Sequence, residues 1–310
     1  MVWVIAVLGP TAVGKTEVGI ELAERLGGEV VNGDALQVYR GFDIGTAKPS
    51  AGQRRRVRHH LLDVLAPEQR HSAGAFVRRA HTAVADIAAR GRVPIVVGGS
   101  GLYLRALLEG LSPIPPVDDA LRDRLRQRLE HDGLPALWAR LSACDAATAA
   151  KLAATDRQRI LRALEVFEST GRPLSYWHEQ APQTPRLQAY RLGLTLPRAI
   201  LYDRVACRVR GMVASGWVAE VKGLLARGVD RQAPAFQAIG YRQLADHVLG
   251  FLSLEEAVAQ TIRATRRYAK RQLTWFRREH RVEWWDASTL AQSMDTLVRC
   301  LEARRRKTDK

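Results

Sequence analysis

Residues Gly9–Thr16 read Gly-Pro-Thr-Ala-Val-Gly-Lys-Thr, a complete G-x-x-x-x-G-K-[ST] loop, and the residues on both sides leave the backbone around it little choice. Val2–Leu8 is an unbroken apolar run with β-branched residues, short enough for a buried strand. After Thr16, Val18, Leu22 and Leu26 recur at helical spacing until Gly27-Gly28 stops them. A strand, a glycine loop and a helix therefore follow in order. Successive backbone N–H groups then converge with the positive end of the helix on one anion. The expected ligand is a phosphate or diphosphate, with Lys15 neutralising its oxygens and the Thr16 hydroxyl placed for Mg²⁺.

A second strand is predicted over Glu29–Val31, leading into Asn32-Gly33-Asp34, and a third over Val93–Val97, ending in Gly98-Gly99-Ser100-Gly101. Strand and helix alternating in this way predict an α/β fold, a phosphate-loop parallel sheet whose functional loops lie at the carboxyl ends of the strands. Gly9–Thr16, Asp34 and Ser100 should share one rim. Ser112-Pro-Ile-Pro-Pro116 breaks the alternation, and the chain then reads as helix to about Thr170. Leu121, Leu125 and Leu129 form an apolar stripe there, with Arg122, Arg124, Arg126 and Arg128 around it. Asp145 and Asp156 are expected as N-caps, and Gly171–Pro173 as the end of the block. Pro182–Pro185 reads as a return linker, Ala189–Leu196 as a strand and Val282–Trp285 as a late strand. The expected organisation is a catalytic core of residues 1–115 and 187–310 interrupted by an all-helical domain at 116–186.

The chain carries 48 Lys and Arg against 32 Asp and Glu, a net charge of +16, which points to a polyanionic partner and to nucleic acid first. Placement sharpens this. Ser253-Leu-Glu-Glu256 is a capping box opening a helix that should run to about Arg278. On it Arg263, Arg266, Arg267, Lys270, Arg271, Arg277 and Arg278 recur at three- and four-residue spacing, while Val258, Ile262, Ala269 and Phe276 face inward. The nearby acidic residues, Glu255, Glu256 and Glu279, sit near its ends, so the basic stripe reads as a contact to a phosphate backbone. Arg304–Lys307 reads as a frayed, solubilising end. Cys144, Cys207 and Cys300 lie far apart and indicate neither a disulfide framework nor a zinc site. No apolar run of membrane-spanning length occurs, and a cytoplasmic location is expected.

A nucleotide-hydrolysing enzyme with this loop carries a carboxylate after a hydrophobic strand. Here the third predicted strand ends in Gly-Gly-Ser-Gly instead. Asn32 is the only asparagine in the chain, which excludes an Asn-Lys-x-Asp guanine-reading motif. Asp34 is the one carboxylate predicted on the rim. Three uses stay open for it: a Mg²⁺ ligand, a general base or a turn residue.

The phosphate loop, Asp34-Ala-Leu-Gln-Val-Tyr39, Asp43-Ile-Gly-Thr-Ala-Lys-Pro49, His59-His-Leu-Leu-Asp63 and Gly98-Gly-Ser-Gly-Leu-Tyr103 together resemble the tRNA dimethylallyltransferase family, also called tRNA isopentenyltransferases. So do Asp156–Val166, Gln237-Ala-Ile-Gly-Tyr241 and Thr265–Arg277, in order and with compatible spacing. The resemblance implies transfer of a dimethylallyl group from dimethylallyl diphosphate to N6 of the adenosine immediately 3′ of the anticodon. It also accounts for the absent hydrolytic carboxylate, because the loop then cradles a departing diphosphate.

By this resemblance Gly9, Thr11, Ala12, Val13, Gly14, Lys15 and Thr16 hold the diphosphate, and Asp34, Ser100 and Arg208 are catalytic, with Asp34 as general base. Mg²⁺ falls to Thr16 and Ser100. The tRNA falls to Asp34, Ala35, Leu36, Gln37, Ser100, Arg122, Gln158, Arg159, Ile160, Leu161 and Arg162, to which the basic stripe adds Arg266, Lys270 and Arg271, the helical domain gripping the anticodon stem. The chain departs from the family at Ser100, where threonine is usual, and at Ala35, where serine is common. A monomer, with no membrane partner, is expected to suffice. Two other uses of the loop stay open: a small-molecule kinase with the arginine-rich insertion as its lid, and an RNA-binding module with a structural nucleotide.

Overall fold

The computed structural model describes residues 2–181 and 187–308, so the linker expected at Pro182–Pro185 lies outside the described residues. The chain divides into two compact units, Met1–Leu108 with Arg186–Lys310, and Glu109–Pro185. The first unit opens with strand β1 (Trp3–Leu8), helix α1 (Lys15–Leu26), β2 (Gly28–Asn32), α2 (Ala51–Arg56), β3 (His59–His60), α3 (Ala73–Ala89), β4 (Val93–Gly98) and α4 (Gly101–Glu109). The second unit holds α5 (Asp119–Cys144), α6 (Ala146–Ala149), α7 (Arg157–Thr170) and α8 (Leu174–Glu179). The first unit then resumes with β5 (Gln188–Thr195), α9 (Arg198–Ala214), α10 (Trp217–Ala226), α11 (Tyr241–Val248), α12 (Leu254–Phe276), β6 (Val282–Asp286) and α13 (Leu290–Thr308).

All six strands are parallel, in the order β3-β2-β4-β1-β5-β6. Val4–Leu8 is buried along its whole length, as a central strand covered on both faces must be. Register explains the shared rim. Leu8 pairs with Gly98 and with Gly193, and Val97 pairs with Asn32. The loops after β1, β2 and β4 therefore leave the sheet at nearly one level, on adjacent strands. One apolar core lies under β1, β4 and β5 and takes Ile20 and Leu22 from α1, Ala269 from α12 and Leu290, Met294, Leu297 and Leu301 from α13. A second, around Phe42, Trp217, Phe236 and Tyr241, belongs to the same unit.

Three expectations are corrected. The strand expected third is fourth, because His59–His60 forms a two-residue strand whose length leaves no periodicity to read. Gly171 ends α7 in the left-handed conformation but not the helical block, since α8 follows Pro173. The basic tail is not frayed: α13 runs to Thr308, Arg304 pairs with Glu283 at 3.0 Å and its guanidinium lies over Tyr190. The expected caps are in place, Asp145 accepting from the Thr148 amide and Asp156 from the Arg159 amide.

The second unit has its own core of Leu121, Leu125, Leu129, Leu141, Ile160 and Leu164. Its long helix α5 is broken at Gly133, whose positive φ precedes Pro135.

Candidate active site

The loop after β1 is shaped by glycine where the backbone demands it. Gly9 has φ +147°, and a Cβ there would meet the Leu194 carbonyl oxygen at 2.7 Å. Gly14 is the N-cap of α1 with φ +105° and supplies no side-chain cap. The first amides of α1 thus lack intrahelical acceptors and are free to meet an anion. Ala12 also has positive φ, so the loop alternates hand in the manner of an anion-binding nest.

A cavity above this loop is lined by Thr11, Lys15, Thr16, Asp34, Gln37, Thr46, Val97, Gly98, Gly99, Arg208, Tyr268 and Gln272. Lys15 Nζ donates to the Pro10 carbonyl at 2.7 Å. Burial draws its ammonium down from the ordinary lysine value to about 7; the Arg208 charge adds to this and Asp34 opposes it. Burial also lowers Arg208, again with Asp34 opposing. Two cations therefore share an enclosed space with one carboxylate, an arrangement that favours arrival of a dianion or trianion.

Asp34 follows β2 in an Asx turn. The Asn32 Oδ1 accepts the Asp34 amide at 3.0 Å, and Asp34 Oδ1 accepts the Leu36 amide at 2.8 Å. The carboxylate is thus a turn residue and a cavity residue at once, with Oδ2 left as the oxygen that can take a proton. The Ala35 amide donates to Ser100 Oγ at 3.2 Å, which ties the β2 loop to the Gly98–Gly101 turn. Burial, then the charge of Asp34, raises Tyr268, whose hydroxyl lies within reach of Ser100 and Gln272.

The opposite lip of the cavity is the segment Asp43–Lys48. Gln37 Nε2 donates to the Thr46 and Ala47 carbonyls at 3.0 and 3.1 Å. Glu220 Oε2 accepts the Asp43 and Ile44 amides, and Tyr241 donates to Glu220 Oε1 while accepting the Gly45 amide. Lys48, its side chain 1% exposed, donates to Asp43, Asp63 and the Tyr39 carbonyl. Gly45 and Gly240 both lie flat against the Trp217 indole, where a Cβ would come within 2.2 and 2.0 Å of ring atoms. Two glycines from distant motifs are therefore required by one aromatic side chain.

The structure also shows which sequence-selected residues lie apart from this cavity. On α12, Arg263, Arg267, Lys270 and Arg271 are exposed, but Arg266 is half-buried, donating to the Tyr202 carbonyl with its guanidinium over that ring. Arg267, Lys270, Arg271 and Arg278 line a separate basic pocket with Arg105 and Trp275. In the second unit Gln158 and Arg159 are exposed on the first turn of α7, and Leu161 is half-buried. Ile160 is fully buried in the core of that unit, so its side chain cannot meet an RNA. Arg122 bonds Asp119 at 2.6 Å and lies 3.7 Å from Glu165, and Arg162 is 3.3 Å from Glu165. Gln272, Tyr268, Thr46 and Glu220 were not selected. Gln272 had a signal: it is three residues from Ala269 and four from Phe276, hence a polar residue on the buried stripe of α12.

Among the described residues no cluster of three or more His, Cys, Asp or Glu could hold a metal. The cavity offers instead the Thr16 hydroxyl beside the Gly9–Thr16 loop, and the Ser100 hydroxyl lies on the neighbouring turn, tied to the Ala35 amide. That donor set fits Mg²⁺, which retains waters and takes substrate phosphate oxygens with only one or two protein ligands. No helix among the described residues is long and apolar enough to cross a membrane.

Residues 37–279 match the family model for IPP transferase. The chain is 46% identical, over 96% of its own length and 87% of the relative's, to a protein of Syntrophobacter fumaroxidans named tRNA dimethylallyltransferase. A protein of the same name from Geobacter metallireducens is 48% identical over 90% of this chain and 91% of its own. Among solved structures, a tRNA isopentenylpyrophosphate transferase of Bacillus halodurans superposes with a TM-score of 0.72 at 37% identity, over the full length of both chains. A eukaryotic dimethylallyltransferase acting on tRNA gives 0.81 at 27% identity, over 94% of this chain and 76% of that one. A family model matched over most of the chain, together with relatives nearly half identical along it, shows that the chain belongs to the IPP transferase family.

Proposed function

We propose that this enzyme transfers a dimethylallyl group from dimethylallyl diphosphate to N6 of the adenosine 3′ to the anticodon of tRNA. The observation that carries the reading is the cavity that gathers Lys15, Arg208 and the Asp34 carboxylate over the Gly9–Thr16 loop. As the allylic carbon–oxygen bond breaks, negative charge gathers on the leaving diphosphate, and buried cations and loop amides stabilise it most at that moment. The attacking amino group forms the new carbon–nitrogen bond and loses a proton, for which Asp34 Oδ2 is the acceptor. Leu36 holds the other carboxylate oxygen, so the base is oriented before substrate arrives. Thr16, with diphosphate oxygens and water, would hold Mg²⁺, which when bound supplies further neutralisation of the leaving group. Ser100, one lone pair of which takes the Ala35 amide, completes the rim and remains available to the metal shell or the RNA.

The target base must leave its stack to reach an enclosed carboxylate, and a single-stranded loop makes that inexpensive. We assign the exposed cations of α12, with Gln158, Arg159 and Arg162 of α7, to the tRNA. We take a monomer as the working species and place its work in the cytoplasm.

The test is incubation of the purified protein with Mg²⁺, radiolabelled dimethylallyl diphosphate and unmodified tRNA, followed by nucleoside mass analysis. Label on the adenosine beside the anticodon is expected. Binding of tRNA without label would sink the transferase reading in favour of a binding module, and ATP consumption without label would favour a kinase.

A further inference from the structure

Gln272 stands where no charge and no catalytic proton is needed, yet its side chain is built into both sides of the cavity. The residue is 6% exposed. Its Oε1 accepts the Thr11 amide of the diphosphate loop at 2.8 Å, and its Nε2 donates to the Gly99 carbonyl, also at 2.8 Å. The Thr11 amide offers only a donor and the Gly99 carbonyl only an acceptor, so a carboxamide is the group that satisfies both, and in one orientation. Gly99 makes room for it: a Cβ at that position would lie 2.3 Å from Nε2. Gly101, on the same turn, is pressed in the same way against Trp275 of α12. One turn of α12 thus fixes the loop that carries Lys15 and the turn that carries Ser100.

We propose that Gln272 is a positioning residue of the transfer reaction, its amide setting the spacing between the diphosphate loop and the Gly98–Gly101 turn and thereby the affinity for the diphosphate end of the donor. It satisfies the Thr11 amide within the protein, which leaves the amides further along the loop to the anion. It also places the Gly99 carbonyl, an oxygen that would otherwise face the incoming phosphates unpaired. The inference rests on the diphosphate reading of the loop; the assignment of the acceptor base is not needed for it.

The experiment compares wild type, Gln272→Glu and Gln272→Met. It reads binding of inorganic diphosphate by calorimetry and KM for dimethylallyl diphosphate and for tRNA separately, each at pH 8 and pH 5.5. At pH 8 the ionised carboxylate of the Gln272→Glu variant keeps the acceptor for Thr11 but sets an oxygen against Gly99 and a negative charge beside the ligand. A loss of diphosphate affinity of about tenfold or more is expected, with the KM for tRNA within about twofold of wild type. At pH 5.5 the protonated acid, favoured by burial and by the Asp34 carboxylate and opposed by the Lys15 and Arg208 charges that share the cavity, can donate to Gly99, so the ratio of Gln272→Glu to wild type should return toward unity. Gln272→Met should remain impaired at both pH values.

Unchanged diphosphate affinity in both variants at pH 8 would overturn the proposal. So would a parallel rise of both KM values with a lowered unfolding temperature and no recovery of Gln272→Glu in acid, which is the signature of a purely structural residue. If wild type made no prenylated nucleoside, the transferase reading would fail, while the diphosphate calorimetry would still decide the role of Gln272.

Discussion

The two walls of the cavity are built in opposite ways. On the phosphate-loop wall, Lys15 and Arg208 hold unmet charge: burial and mutual repulsion lower Lys15, and among the described residues neither forms a salt bridge. On the base wall nearly every polar group is already engaged: Asn32 with Asp34, Asp34 with Leu36, Ala35 with Ser100, Gln37 with Thr46, Glu220 with Asp43 and Ile44. The first wall reaches its preferred charge state only when an anion arrives. The second is set before any substrate arrives, which suits a group that must accept a proton at a defined point.

The largest effect should come from the preset wall. Asp34→Ala is expected to lower kcat by about 10²–10⁴-fold, the usual share of a general base, with tRNA affinity kept within a few-fold. Activity equal to wild type in single-turnover assays would remove Asp34 as the base. Lys15→Met tests the charged wall and should raise the KM for dimethylallyl diphosphate by about 100-fold while leaving tRNA binding in place; selective loss of RNA binding would reverse the assignment of the two walls.

A subtler difference concerns protons. A free lysine near 7 that is pushed up by a bound anion takes up a proton wherever the pH lies between its free and bound values. Relative to a Lys15→Met control, which carries the titration of the ligand itself, diphosphate binding at pH 8 should therefore consume nearly one further proton, and at pH 6 almost none. Calorimetry in two buffers of different ionisation enthalpy measures this in both proteins. The smallest effect is expected for Glu220→Gln, which keeps one acceptor for the Asp43–Lys48 lip: a loss of kcat/KM of a few-fold, compared by steady-state kinetics with an unchanged KM for the diphosphate donor.

Much of the charged wall was legible in the sequence, because a phosphate loop is local. Its strand, its glycines, Lys15 and the first turn of α1 are contiguous, and their spacing states the backbone they form. The shared rim of Asp34 and Ser100 was legible too, since parallel strands put successive loops on one side. The preset wall was far less so. Trp217 explains Gly45 and Gly240 only through a packing contact between distant segments, and Glu220 reaches Asp43 and Ile44 across a comparable separation in sequence. The partners of the α5 arginines were illegible for the same reason. Arg128 and Arg140 approach Glu168 at 3.8 and 2.9 Å and Arg122 approaches Glu165, carboxylates that α7 supplies from a separate stretch of sequence.

The position of β1 in the sheet also sets a timetable. Synthesised first, it lies between β4 and β5, and β5 begins only at Gln188, after the whole of the second unit has been made. The core beneath it draws Leu290, Met294, Leu297 and Leu301 from the last helix. Non-local pairing of this kind is slow and leaves apolar edges open in the meantime. A nascent chain of this protein therefore leaves the ribosome with the second unit's apolar residues complete, while the strand that will carry the Gly9–Thr16 loop still waits for its neighbour.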